Sequence, residues 1–144
     1  MAHVLLATDA DWLFDDVDAA LGGPDTTLSR IRVGADVLAA TAELDPDLVI
    51  LDLQIGNMGG MAASLAIKED LDHKGLSDTP VMILLDRADD VFLARRSDAN
   101  GWLVKPVDPV RLRHAADELM AGRPYREGWD EGEATEPEVI EPAG

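Results

Sequence analysis

The sequence predicts an α/β fold in which a parallel sheet of five strands is covered by helices on both faces. Three observations carry this. Short apolar runs alternate with helix-like segments five times along the chain, the order that produces βα units and parallel pairing. Two of the runs, Leu48–Leu53 (LVILDL) and Val81–Leu85 (VMILL), are almost wholly apolar, which suits central strands covered on each side rather than strands with one wet face. The 144 residues contain no internal linker and suffice for one domain with one core.

The first strand is His3–Ala7, followed by Thr8 and Asp9. Asp11–Leu21 reads as a helix with Leu13, Val17, Ala20 and Leu21 on one face, and Gly22-Gly23-Pro24 stops it. Thr26–Arg32 is a weaker second strand. Gly34–Leu44 is an Ala-rich helix ended by Asp45-Pro46, because a residue before proline is disfavoured in the helical region. After the Leu48–Leu53 strand a Gly-rich turn opens a helix over Met58–His73. Ala88–Ala99 reads as a short helix and Trp102–Val104 as a short fifth strand. The last helix, Pro109–Met120, places its proline where a missing N–H is tolerated, with Asp108 as its cap.

The domain is expected to span residues 1–122, with residues 123–144 as a disordered acidic tail. From Glu127 to Gly144 there are seven acidic residues and no basic one, a composition that cannot bury enough apolar surface to order itself. Tyr125 and Trp129 read as incidental aromatics within it. The whole chain carries a formal net charge of -17, with 29 acidic against 12 basic residues. A nucleic-acid binder needs a basic footprint, and the one local basic group, Arg111, Arg113 and His114, is small, so direct nucleic-acid binding is not expected. Acidity also disfavours anionic membrane surfaces. There is no cysteine, which removes disulfides, zinc–thiolate centres and thiol catalysis. His3, His73 and His114 show no metal-ligand spacing. The N-terminus lacks a run long enough for a signal peptide or span, so a cytoplasmic location is expected.

In an open parallel sheet, ligands collect at the carboxyl ends of the strands. Asp9, Asp52 and Lys105 stand there. Asp52 is the residue least explained by folding, because it interrupts an apolar run, and a carboxylate at a buried strand end is costly unless paired or metal-bound. Two neighbouring carboxylates invite a divalent cation such as Mg²⁺, and the same arrangement suits a nucleophilic carboxylate that takes a phosphoryl group, with Lys105 neutralising its oxygens. Each residue alone is more simply a turn cap or a solvated side chain. Together, in this order along five βα units, the functional reading prevails.

At this point the residues match a family. DLVILDLQIGNMGG (47–60), TPVMILLD (79–86) and ANGWLVKPVDPVRL (99–112) resemble the third-strand, fourth-strand and fifth-strand motifs of response-regulator receiver domains. The resemblance covers about residues 3–121. It implies a flavodoxin-like doubly wound sheet of order 2-1-3-4-5. It further implies Asp52 as acceptor of phosphate from a histidine kinase or phosphotransfer protein. Mg²⁺ would be held by Asp9, Asp52 and the backbone carbonyl of Gln54, with Lys105 on the phosphoryl group and a cis bond before Pro106. The output implied is protein–protein contact through the face of the fourth helix, fifth strand and last helix, a face that also admits a homodimer. A signalling module of this kind is not an enzyme.

Four positions depart from, or bear on, the family's switch. Thr8 replaces the first residue of the acidic pair. Leu85 replaces the switch hydroxyl and has no hydrogen-bond donor. Asp86 replaces the small residue that follows, and Trp102 falls on the aromatic position that changes rotamer. Phosphorylation is therefore expected to couple weakly to the output face, and a phosphorylation-independent adaptor is the competing reading. A metal-dependent phosphatase on the same fold lacks a second acid/base group.

Overall fold

The computed structural model describes residues 1–56 and 58–127. Among these residues six parallel strands form one sheet: β1 (Ala2–Ala7), β2 (Thr26–Ile31), β3 (Leu48–Asp52), β4 (Val81–Leu85), β5 (Gly101–Val104) and β6 (Tyr125–Arg126), in the order β2-β1-β3-β4-β5-β6. The predicted order is present, with one strand added beyond β5. Five helices alternate with them: α1 (Asp11–Leu21), α2 (Val37–Leu44), α3 (Gly60–Lys68), α4 (Val91–Arg95) and α5 (Pro109–Met120). No described helix is long and apolar enough to cross a membrane.

Period-two alternation along the strands divides the core into two layers. Leu5, Val49, Leu51, Ile83, Leu85 and Trp102 point to one face and pack with Val37, Ala63, Ile67 and Ala94 from α2, α3 and α4. Val4, Leu6, Leu48, Ile50, Leu84 and Leu103 point to the other, against Leu13, Val17, Leu112 and Leu119 from α1 and α5. Every residue of β3 and β4 is buried, as expected for strands covered on both sides.

Helices α2, α3 and α4 are shorter than the sequence pattern suggested, for local reasons. Helix α3 begins at Gly60 rather than Met58. A Cβ on Gly60 would stand 2.7 Å from the Asp52 carbonyl oxygen, so the helix start is pressed directly onto the end of β3. It ends at Lys68, whose ammonium donates to the carbonyls of Ser77 (3.3 Å) and Thr79 (2.8 Å) and ties the helix to the 3-10 turn Leu76–Asp78. Burial pulls the Lys68 pKa below its ordinary value, against the attraction of Asp78 and Asp98. A 3-10 turn at Gly34–Asp36 precedes α2, and another at Ala88–Asp90 precedes α4. Helix α4 closes early because the Ser97 hydroxyl donates to the Ala94 carbonyl at 2.6 Å and Asp98 turns left-handed at φ 61°. Helix α5 matches its predicted bounds. Asp108 caps it by accepting from the Val110 and Arg111 amides at 2.8 and 3.4 Å.

The tail expectation needs correction at its start. Residues 125–127 do not leave the domain: β6 pairs with β5, Gly101 opposite Tyr125 and Trp102 opposite Arg126. Trp129 and the rest of the acidic segment, residues 128–144, lie outside the described residues.

Candidate functional site

The carboxyl ends of β1, β3, β4 and β5 bring together Thr8, Asp9, Asp52, Asp86 and Lys105. Asp52 is the last residue of the central strand and is 3% exposed. Both its oxygens are engaged. Oδ1 accepts from Lys105 Nζ at 2.7 Å and from the Gln54 amide at 3.1 Å. Oδ2 accepts from the Thr8 hydroxyl at 2.7 Å. These bonds make burial of the carboxylate tolerable.

Thr8, expected as a lost acidic residue, is fully buried and holds Asp52 instead. Its Oγ1 also accepts from the Ala10 amide at 3.1 Å, so the start of α1 fixes the hydroxyl that fixes Asp52. Asp9 makes no hydrogen bond to Asp52. Its Oδ2 accepts from the Gly56 amide at 3.2 Å, across to the loop after β3. The turn-cap alternative for Asp9 is not realised at α1, whose cap position is Ala10 without a side-chain bond.

Lys105 bridges two carboxylates. Its ammonium donates to Asp52 Oδ1 and to Asp86 Oδ1, each at 2.7 Å. Burial pulls its pKa down, but the hydrogen bonds and charges of Asp52 and Asp86 together outweigh burial and hold it above the usual lysine value. The backbone amide of Lys105 donates to the Leu85 carbonyl at 2.7 Å, and the Lys105–Pro106 peptide bond is cis. Leu85 itself is fully buried in the core. Asp86 is held from behind by a residue the sequence reading passed over. Asp90, nearly buried, accepts from the Asp86 and Arg87 amides at 3.2 and 3.0 Å. The D-R-A-D-D run (86–90) carried that signal, an acidic residue placed to bind the open amides of the preceding turn.

Two tryptophans separate cleanly. Trp12 is 56% exposed, because it lies off the stripe formed by Leu13, Val17 and Leu21. Its ring lies 6.0 Å from Lys105 Nζ. Trp102 is 2% exposed and belongs to the core on the α3–α4 side of the sheet.

The fold is that of a receiver module, and the chain belongs to the response regulator receiver domain family, which it matches over residues 4–117. It is 30% identical over 112 residues to the DNA-binding response regulator MtrA of Mycolicibacterium smegmatis, covering 76% of this chain and 46% of that protein. The chain thus spans about half the length of that relative. A response regulatory protein of Mycobacterium tuberculosis is 34% identical over 97 residues, 67% of this chain and 70% of its own length. Among solved structures, chemotaxis response regulator CheY4 of Vibrio cholerae superposes with a TM-score of 0.72 at 23% identity, over 83% of this chain and 98% of its own. The receiver domain of a sensor histidine kinase from Pseudomonas aeruginosa PAO1, which has a magnesium ion in its active site cleft, superposes with a TM-score of 0.74 at 16% identity, over 83% and 98%.

Receiver domains typically bind magnesium, and the side chains here can be tested against it. Among the described residues no group of three or more His, Asp or Glu side chains is placed to hold a metal. Two carboxylates, Asp9 and Asp52, and the Gln54 carbonyl remain. Magnesium is commonly held by one or two carboxylates with water completing its shell, so the donor set fits a weakly held ion. The Thr8 hydroxyl already occupies Asp52 Oδ2 and would compete with a cation held by that carboxylate. A Thr8→Asp variant is therefore expected to be less stable than wild type without metal and to gain more in unfolding temperature on adding millimolar Mg²⁺. Thermal unfolding with and without Mg²⁺ measures both; equal gains would show that Thr8 does not limit metal binding.

Proposed function

We propose that this receiver domain accepts a phosphoryl group on Asp52 from a histidine kinase or phosphotransfer protein and signals by protein contact. The observation that carries the reading is the buried Asp52 carboxylate on the central strand with the Lys105 ammonium 2.7 Å away. In the transfer, an Asp52 oxygen attacks phosphorus and the P–N bond of the phosphohistidine breaks. The imidazole nitrogen keeps the electron pair and takes a proton from solvent, leaving an acyl phosphate on Asp52. Lys105 shifts from the Asp52 carboxylate onto the transferred oxygens. Thr8 orients Asp52 through Oδ2 and excludes water from that side. Magnesium held by Asp9, Asp52 and the Gln54 carbonyl would supply further neutralisation of charge on those oxygens.

Output is proposed through the face formed by α4, β5 and α5, where pairing with a second copy is also open to test. Leu85 offers no hydroxyl to the phosphoryl group, and Trp102 is packed inward, so the coupling between Asp52 and that face is weak. The Asp86–Lys105 ion pair favours a second reading, a phosphorylation-independent adaptor, because Lys105 already has an anionic partner. Incubation with Mg²⁺ and a small acyl phosphate or phosphoramidate, followed by intact mass measurement, separates the two. A gain of one phosphoryl group that Asp52→Asn abolishes supports the first. No gain at any metal concentration supports the adaptor.

A further inference from the structure

After α5 the chain turns at Gly122, which takes a left-handed φ of 88°, and residues 125–127 run back along the open edge of β5. The pairing is parallel. The Tyr125 amide donates to the Asn100 carbonyl at 3.4 Å and the Glu127 amide to the Trp102 carbonyl at 3.2 Å. A Cβ on Gly101 would stand 2.3 Å from the Tyr125 carbonyl oxygen, so the close approach depends on a glycine at the start of β5.

The edge also reads side chains. The Trp102 indole N–H donates to the Glu127 carbonyl at 2.8 Å. One Glu127 carboxylate oxygen accepts from the Val104 amide at 2.7 Å, and the other takes the Arg111 guanidinium. The Tyr125 ring stands edge-to-face on His114, centroids 5.4 Å apart. Main-chain pairing, an aromatic subsite and a carboxylate subsite two residues further on are the components of peptide recognition by strand addition. Arg111 and His114 belong to the small basic group of the sequence, set in a chain of net charge -17, so this edge offers a local cationic partner to a single carboxylate.

The occupant is short and its carboxylate pair is partly open to solvent. The Arg111 and Glu127 side chains are 37% and 27% exposed, and a two-residue strand is marginal by itself. A short tether gives such a segment an effective concentration in the millimolar range, which keeps the edge filled without high intrinsic affinity. We infer that the β5 edge is a docking site for an extended partner segment with an aromatic residue two positions before a glutamate, and that Tyr125–Glu127 is its tethered internal occupant, displaced when a partner binds. The site is distinct from Asp52.

The test uses the full ¹⁵N-labelled chain and an unlabelled, end-blocked RPYREG peptide (residues 123–128), followed by the Val104 amide and Trp102 indole resonances. Glu127→Lys opens the edge. The peptide is expected to shift both resonances in this variant and to bind it at least ten-fold more tightly than wild type. Adding Arg111→Glu restores an ion pair in cis and returns binding to the wild-type level. Asp52→Asn behaves as wild type in this assay, so the outcome is independent of the phospho-acceptor reading. Equal binding to wild type and Glu127→Lys, shifts confined to other surfaces, or no binding to the opened variant at millimolar peptide would each overturn the proposal.

Discussion

An Asp86→Ala variant is expected to bind beryllofluoride, in the presence of Mg²⁺, roughly ten- to a hundred-fold more tightly than wild type, a gain of about 1.4–2.8 kcal/mol. Asp52 and Asp86 share one ammonium, each 2.7 Å from Lys105 Nζ. An anionic group on Asp52 must draw Lys105 away from Asp86 and then sit beside an uncompensated carboxylate. Two unit charges about 5 Å apart repel by about 3 kcal/mol at an effective dielectric near 20. Solvent at the 30% exposed Asp86 side chain screens part of this. Asp86→Asn separates charge from bulk and is expected to recover most of the effect. Trp12, with its ring 6.0 Å from Lys105 Nζ, supplies the fluorescence signal for the titration. Unchanged affinity in both variants would mean that Asp86 is no barrier to an anion at Asp52.

Lys105→Met is expected to destabilise the domain by about 3 kcal/mol at neutral pH, because it leaves the Asp52 and Asp86 carboxylates close together without their shared cation. Asp52 is almost fully buried, so water cannot replace the lost partner. The pH dependence of the wild type lies at the alkaline end of the scale. The folded-state pKa of Lys105 is raised by Asp52 and Asp86 in spite of burial. Its contribution is therefore complete below about pH 10.4, the ordinary lysine value, and is lost as the pH rises through the folded value. Urea unfolding of both proteins at pH 7, 10 and 11.5 measures this. A deficit for Lys105→Met that is no smaller at pH 11.5 than at pH 7 would show that the Lys105 charge is not its source.

Elements defined by short-range chemistry were legible in the sequence. The apolar runs of β3 and β4 and the Asp108-Pro109 start of α5 fall where the pattern placed them, because burial on both faces and capping are written in consecutive residues. Helix ends were less legible. Lys68 stops α3 by reaching carbonyls nine and eleven residues further on, and no window over the helix contains that information. At the site, the types of Asp9, Asp52 and Lys105 and their places at strand ends could be read. Their partners could not. The Thr8–Asp52 bond joins residues 44 positions apart, so Thr8 reads as a missing carboxylate in the sequence and acts as a hydrogen-bond donor in the fold. Asp86 likewise reads as stray charge until Lys105 is seen beside it. The sixth strand was hidden by the acidic composition that follows it. Tyr125 was its one visible signal, and it gains meaning only opposite Gly101 and His114.

The six-strand order also bears on how the protein behaves when concentrated. A sheet ending on β5 would present Gly-Trp-Leu-Val, a flat apolar edge with open amides, which is a template for growth by further chains. Here that edge is closed by two residues preceded by Pro124, and the next open amide, that of Val104, is capped by a carboxylate. At the opposite edge β2 carries Thr26, Thr27, Ser29 and Arg30, polar side chains that discourage stacking. Both rims of the described sheet are thus guarded against amyloid-like extension, so a chain whose central strands are among the most apolar segments it has can remain dispersed in the folded state.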